Sequence, residues 1–430
     1  MIRQILDLHT HSKYSRACSK ELELPKIAAT CAIRGIDIVA TGDFTHPKWF
    51  AHLKEQLKES GDGIYQLNSK SSTSGSSTKF LIGTEVAVIK KHKDKVRRLH
   101  LLLFAPSLEV AEKCIQELQK RNINLNADGR PIIGMTAKDL LQLILEVDER
   151  MVMIPAHAWT PWFGVFGSKG GYDSLEDAFE ELAPRIFAIE TGLSSDPLMN
   201  WRCSWLDRIC MVSCSDAHSP QKLGREANVF QFTDEKEISY DEIMRILRTQ
   251  DRKKFLYTVE FYPEEGKYHY DGHRECKVSF HPRETKKHKG VCPVCKRPLV
   301  IGVMNRVEEL ADRTEDEART TGTQRIPYKN LVPLPEILAD TFHVGVGTKR
   351  VVEAYTDLIT HCRSEFSLLL DTPLEKIEQY SSKQIAQAIG CVREGRIHIE
   401  PGYDGVFGVV RVFGDKEDHG GTKQLGMMLE

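Results

Sequence analysis

No apolar run in this chain approaches the ~20 residues that a membrane-crossing helix needs, so a membrane role is not expected. Charge of one sign is not in excess either: 59 Lys and Arg stand against 61 Asp and Glu, and the net charge of −2 points to no partner by itself. Aromatic residues make up only 8% of the chain, and no internal repeat is visible. The 11 cysteines are odd in number and scattered, with no leader-like segment before them, which argues against a secreted disulfide framework. A reducing, cytoplasmic compartment with access to the nucleoid is expected. Apolar residues, by contrast, are ample at 41% of 430, a length that exceeds one ordinary core and predicts two or three domains.

Short apolar runs alternate with helical patterns over residues 5–260. Helices are expected at Leu24–Arg34 (stopped by Gly35), Pro47–Glu59 and Ser107–Lys120, with capping signals at Thr136 and Ser239. Such alternation implies an α/β architecture, and a barrel is the natural form. The Ser/Gly/Lys-rich stretch from Ser60 to Lys79 reads as a mobile surface loop, with Ser69–Lys79 resembling a local insertion. After residue 262 the chain turns polar and basic, then helical in pattern from 304 to 400, and finally hairpin-like around Ile397–Phe413.

Chemistry concentrates in six segments, most of which follow strand-like runs: Asp7-Leu8-His9-Thr10-His11, Asp43-Phe44-Thr45-His46, Thr84-Glu85, Arg98-Leu99-His100, Ala156-His157 and Asp216-Ala217-His218. Residues i and i+2 of a strand face one side. His9 and His11 therefore aim at one point, and Asp216 and His218 can do likewise. Glu85 can bridge two ions, His100 and His157 would complete a second site, and Asp43 and His46 with His218 could supply a third. Mixed imidazole and carboxylate donors suit Zn²⁺, Mn²⁺ or Fe²⁺ rather than Ca²⁺. Clustered divalent ions acidify water and neutralise phosphoryl charge, which suits phosphoester hydrolysis. A lone histidine after an apolar run is ordinarily a satisfied, partly buried residue; recurrence of the pattern is what marks a site.

A second cluster lies downstream. His273-Arg274-Glu275-Cys276, fifteen residues, then Cys292-Pro293-Val294-Cys295 has the spacing of a closed four-ligand zinc module, with His281 or His288 as alternatives to His273. From Arg245 to Pro298 there are 14 Lys and Arg against 7 Asp and Glu. Lys286 and Lys287 sit in this basic stretch and suit duplex phosphate contact. The glycine-rich loop Gly164–Ser174, just after His157, could bring Ser168, Gly170 and Gly171 close to a base; Trp159, Trp162, Phe163, Phe166 and Tyr172 could stack or simply fill a core. Glu190, at another strand end, could tune a ligand.

The barrel segments resemble the polymerase-and-histidinol-phosphatase (PHP) superfamily, a distorted seven-stranded α/β barrel with a two- or three-metal phosphoesterase centre. By that resemblance His9, His11, Glu85 and Asp216 form the first site, with these four central to catalysis, and Glu85, His100 and His157 the second. The third departs from the pattern: Tyr14-Ser15-Arg16-Ala17 stands where relatives carry a histidine, and Asp43 and His46 are not adjacent. The knuckle, the segment Gly302–Arg313 with Arg306, and the ending Ile399–Gly405 resemble the endonuclease Q family over nearly the whole chain. That resemblance implies a DNA repair endonuclease nicking duplex DNA 5′ of deaminated bases (uracil, hypoxanthine, xanthine) and abasic sites, with the lesion nucleotide flipped out. It implies a PHP barrel over 1–262, a zinc-binding module over 263–305 and a helical DNA-binding region over 306–430, with Arg306 on the DNA-contacting surface. Two or three divalent ions (Zn, Mn or Mg), one structural Zn, damaged duplex DNA and a repair or replication protein are the expected cofactors and partners. A PHP-type small-molecule phosphatase and a non-catalytic DNA-binding scaffold are the competing readings.

Overall fold

A computed structural model describes residues 1–71, 77–93 and 95–413. The fold is mixed α/β around a central sheet. Its hydrogen-bonded order runs 328–330, 255–260, 227–232, 2–7, 38–40, 79–92, 64–67, 57–61, with 95–105 and 132–133 also on 79–92, and 152–155 on 95–105. Strands 188–190 and 210–212 pair with each other, in parallel, as a separate two-stranded sheet. Among the described residues the ladders make this eleven-stranded sheet, the 188–190/210–212 pair, and two further two-stranded pairs, 271–273 with 278–280 and 398–400 with 409–411.

Simple strand–helix alternation holds only in part. Strands 2–7, 38–40 and 79–92 are parallel neighbours, as βαβ units require. Lys79–His92 then doubles back onto Lys95–Ala105 as an antiparallel ribbon. The helix expected to Glu59 ends at Gln56, and Leu57–Gly61 pairs antiparallel with Ile64–Leu67, so the first part of the expected Ser60–Lys79 loop is a hairpin. The physical reason is tertiary: Tyr65 and Gln66 pair with Phe80 and Lys79, which gives this polar segment a sheet edge to complete. Part of the Ser69–Lys79 stretch, and the last residues after 413, lie outside the described residues.

Helices obey their end signals. Leu24–Arg34 stops at Gly35 with φ 85°, and Ala137–Val147 opens on a Thr136/Asp139 capping box. Leu334–Phe342, Lys349–Cys362, Leu374–Tyr380 and Lys383–Arg393 bury Ile337, Leu358, Ile377 and Ile389 in the same apolar core as Val39 and Ile82 of the sheet. Buried Arg34 pairs with Glu365, which also accepts from Leu334 N at 2.9 Å and Tyr355 Oη at 2.8 Å, tying these helices to the sheet.

Candidate metal centre and nucleic-acid interface

The segments named from the sequence converge. His9, His11, Glu85 and Asp216 place one ligand atom each within 4.8 Å of the others, and Glu85, His100 and His157 do the same. Glu85 belongs to both groups. Its Oε1 is 2.8 Å from His100 Nδ1 and 3.2 Å from His157 Nε2, while its Oε2 is 3.4 Å from His11 Nε2 and 3.7 Å from His9 Nε2. The antiparallel ribbon makes this possible. Glu85 faces Leu102 and Ala87 faces His100, so Glu85 and His100 are diagonal neighbours on one face. Buried polar atoms without a partner include His9 Nε2 and His157 Nδ1, a cost that a bound cation would remove at His9.

Backbone conformation also concentrates here. Asp43, His157 and Asp216 all have positive φ (50°, 31° and 46°), a region that residues with a Cβ enter at a cost. Gly192, at φ 61°, allows the approach of His157: a Cβ there would lie 2.5 Å from the Cβ of His157.

The electrostatics describe a site that seeks positive charge. Burial opposes protonation of His9, yet Glu190, Asp216 and Glu85 hold its pKa well above the ordinary value. His11, equally buried, is carried up to about 9 by Asp216 and Asp43. Burial works against ionisation of Glu85 and Asp216, but the facing histidines keep both carboxyls below their usual range. Burial depresses His100 to about 4, so its imidazole is neutral and available as a donor at neutral pH. Donors of this kind, at these separations, fit divalent cations.

Asp43, His46 and His218 do not come together as a third group among the described residues. The Asp43 carboxylate is occupied instead: Oδ1 lies 3.2 Å from His11 Nδ1, and Oδ2 accepts from Ser12 N, Ser12 Oγ and Ser15 Oγ at 2.6–2.8 Å. It orients a ligand from behind, as carboxylates commonly do for metal-bound histidines. His46 stacks on Tyr14, with ring centroids 4.5 Å apart. His218 packs edge-on against His11 at 4.7 Å, and its side chain, 34% exposed, sits on the solvent side.

The sequence reading named Glu190 only as a residue that could tune a ligand, and it missed Arg130. Glu190, fully buried, places Oε2 3.0 Å from His9 Nδ1 and accepts the His157 N–H at 2.8 Å, so one carboxylate sets two candidate ligands from different groups. Its position at a strand end was the available signal. Arg130 donates to Glu85 Oε2 at 2.9 Å and carried no signal, because it reaches the site from an irregular loop. Glu190→Gln should lower metal affinity about 10–100-fold, the usual cost of losing an orienting partner. Titration of bound metal by calorimetry checks this; affinity equal to wild type would remove Glu190 from the centre.

The second cluster also assembles. His273, Cys276, Cys292 and Cys295 fall within 4.8 Å of one another, whereas His281 caps helix Pro282–Lys287 and is not in the group. Burial and the neighbouring thiols push Cys276 up to about 11. Burial opposes ionisation of Cys292, but backbone N–H groups of Cys295 and Val294 hold it below the ordinary thiol value. Lys286 and Lys287 are exposed at the end of the Pro282–Lys287 helix.

The glycine-rich loop differs from expectation. Gly170 N and Gly171 N both donate to Gly167 O, at 3.4 and 2.8 Å, so these donors serve the loop's own turn rather than facing a base. Arg98 N donates to Gly170 O at 3.2 Å, and His100 N to Phe163 O at 2.8 Å, which pins the loop beside the centre; Ser168 is exposed. Trp159, Phe166 and Tyr172 are core residues, Phe163 stacks on His100 at 4.3 Å, and Trp162 is 53% exposed. Arg306, expected on a DNA surface, is buried. Its guanidinium donates to Phe166 O at 3.0 Å and Tyr172 O at 3.1 Å, and pairs with Asp173 and Glu309. A long basic side chain reads as surface in a sequence; here it straps helix Val303–Leu310 to the loop.

Comparison with known proteins follows this geometry. The fold superimposes on the crystal structure of the lesion-specific endonuclease PfuEndoQ from Pyrococcus furiosus with a TM-score of 0.81 and 30% identity, covering 95% of each chain. It superimposes equally on endonuclease Q in complex with a 27-mer duplex substrate carrying an abasic lesion at the active site, with a TM-score of 0.79, 30% identity and coverage of 95% and 96%. Residues 333–396 match the family described as MJ0043 C-terminal domain. The uncharacterized protein MJ0043 of Methanocaldococcus jannaschii is 29% identical over 325 residues, 70% of this chain but 39% of its own length. The chain therefore spans well under half of that relative. The uncharacterized protein YqxK of Bacillus subtilis is 26% identical over 91% of this chain and 93% of its own. Fold and site together define a mixed α/β protein with clustered metal-ligating side chains. The chain belongs to the endonuclease Q family.

Proposed function

We propose that this protein is a metal-dependent DNA repair endonuclease. It hydrolyses the phosphodiester on the 5′ side of deaminated bases (uracil, hypoxanthine, xanthine) and abasic sites in duplex DNA, leaving 3′-hydroxyl and 5′-phosphate ends. The observation that carries the reading is Glu85, whose two oxygens face two separate groups of ligating side chains. Family membership supports it, as does a relative solved with an abasic duplex at its active site.

In this reading His9, His11, Glu85 and Asp216 hold one divalent ion and Glu85, His100 and His157 a second, with Zn, Mn or Mg as candidates. Such ions supply an acidified water and positive charge for the phosphoryl oxygens. The protein's own part is placement. Glu190 fixes His9 and the His157 backbone, and Asp43 fixes His11 from behind. Asp216, 25% exposed in its side chain, marks the open side where a phosphodiester would enter. A phosphate inside a duplex cannot reach so recessed a site, so the lesion nucleotide is flipped, at least cost where pairing is already lost. In the same loop, exposed Ser168 and Trp162 are the residues available to meet the flipped nucleotide, Trp162 as a stacking surface.

The reading extends to the rest of the chain: a distorted seven-stranded barrel over 1–262, a module over 263–305 closed by one structural zinc on His273, Cys276, Cys292 and Cys295, and a helical DNA-binding region over 306–430. Lys286 and Lys287 contact phosphates without regard to sequence. The protein works on nucleoid DNA in the cytoplasm, beside a repair or replication protein.

The test is incubation with labelled duplexes, each with one uracil, hypoxanthine or abasic site, plus Mn²⁺, Mg²⁺ or Zn²⁺. A single metal-dependent nick 5′ of the lesion, and none in the undamaged duplex, is expected. Release of phosphate from small monoesters without nicking would make the protein a phosphatase instead. Lesion binding with neither activity would make it a scaffold.

A further inference from the structure

Arg130 brings a guanidinium to Glu85 in the candidate centre with its side chain still 22% exposed, from a loop built to hold it still. That loop is gripped by the chemistry-bearing segments themselves. Asp128 Oδ1 accepts from both Arg130 N (3.2 Å) and Arg16 N (3.0 Å). Gly129 N donates to Tyr14 O at 3.1 Å, and Ala87 N, two residues past Glu85, donates to Pro131 O at 3.0 Å. Gly129 lies so close that a Cβ there would stand 2.3 Å from both Asp43 Oδ2 and Ser15 Oγ. The backbone that presents Arg130 is therefore fixed from both sides.

What the guanidinium touches is informative. It donates to Glu85 Oε2, the oxygen that faces His9 and His11. A carboxylate shared between two cations has little left to offer an arginine. Arg130 would then keep a planar fork of donors beside the pair of ligand groups, with one edge open to solvent. That fork matches two oxygens of a phosphate and carries a charge that persists at any working pH.

We propose that Arg130 grips the non-bridging oxygens of the scissile phosphodiester and stabilises the charge that builds on them as the P–O bond breaks. The assignment rests on the endonuclease reading and adds to it a residue that ligates nothing. An arginine that merely locked Glu85 would need neither solvent exposure nor a loop pinned on both sides.

The experiment compares Arg130→Ala and Arg130→Lys with wild type in the full chain, by single-turnover nicking of an abasic duplex, duplex affinity and metal content per chain. The expected loss in Arg130→Ala is ~10²–10³-fold in kcat, the size seen when one transition-state donor is removed. Metal content should stay at the wild-type value, and guanidinium ion in solution should restore part of the rate where ammonium does not. Arg130→Lys should recover only a fraction, since a point charge replaces a fork. A nick rate within threefold of wild type would overturn the proposal. So would a loss that follows depleted metal and is cured by excess metal alone, which would make Arg130 a positioning residue for Glu85. If wild type nicks no lesion duplex, the functional reading itself fails and this inference falls with it. A wild type that nicks beside an unaffected Arg130→Ala defeats the inference alone.

Discussion

Asp216→Asn should reduce lesion-dependent nicking by more than ~100-fold, because removal of an orienting partner alone already costs 10–100-fold and this change removes a ligand. Binding of the lesion duplex should stay within a few-fold of wild type. Several observations isolate the effect to chemistry. Asn has the shape of Asp and tolerates the left-handed backbone region, so the φ of 46° at position 216 is kept. The side chain is 25% exposed, on the open side of the centre. His218 Nδ1 is 2.9 Å from the Asp216 backbone carbonyl, a contact the substitution does not touch. What changes is charge. Asp216 Oδ1 lies 3.1 Å from His11 Nε2 and 3.4 Å from His9 Nε2, and an amide there offers half the acceptor capacity and no negative charge to a cation. Nicking and gel-shift titration on one duplex, with metal content measured on the same preparation, separate the outcomes. Loss of nicking with retained binding supports an enzyme whose centre includes Asp216. Unchanged nicking would remove Asp216 from the centre, and no nicking by wild type alongside equal lesion binding would leave the scaffold reading.

Much of this centre was legible because metal ligands are few in kind and recur beside apolar runs. His9, His11, Glu85, His157 and Asp216 follow apolar runs, His100 precedes one, and the structure brings all six together. Helix ends were legible for a similar reason: Gly35, Ser107, Thr136 and Ser239 act within four residues of themselves. What stayed hidden depends on pairing between distant segments. Nothing local says that Ala87 faces His100, although that register is what turns Glu85 toward both ligand groups. Asp43 looked like a ligand because a carboxylate near a histidine looks the same whether it binds a cation or a neighbour; only the closeness of Ser12, Ser15 and His11 reveals the second use. Arg130 and Arg306 show the same limit with opposite results. Neither basic side chain announces its partner in the sequence. One arrives at the centre from a pinned loop, and the other is buried as a strap.

That strap gives the His273/Cys276/Cys292/Cys295 module a reach beyond itself. Its own apolar core is small, with Val278, Cys292 and Leu299 buried and little else, too little to fold such a segment without a metal or disulfide. Zinc on four such ligands supplies roughly 10–16 kcal/mol of apparent binding energy at neutral pH. Cys292→Ala, which removes a fully buried ligand, should therefore unravel the 271–301 segment rather than trim one contact. The disturbance has a path. Asp271, on the strand that ends in His273, accepts from Gly302 N and Asn305 Nδ2 at 2.7 Å each, and so anchors the start of helix Val303–Leu310. That helix carries Arg306, which holds Phe166 and Tyr172 of the loop whose Phe163 packs on His100. The variant should lose zinc, become sensitive to protease between 282 and 301, and bind lesion duplex more than tenfold more weakly. Hydrolysis of a small phosphodiester should fall less, because the ligand groups around Glu85 draw on the sheet and not on this module. Limited proteolysis, zinc content and the two substrates measured side by side decide it. A zinc-free variant that stays protected over 271–301 and binds the lesion duplex like wild type would show that the module folds without its metal.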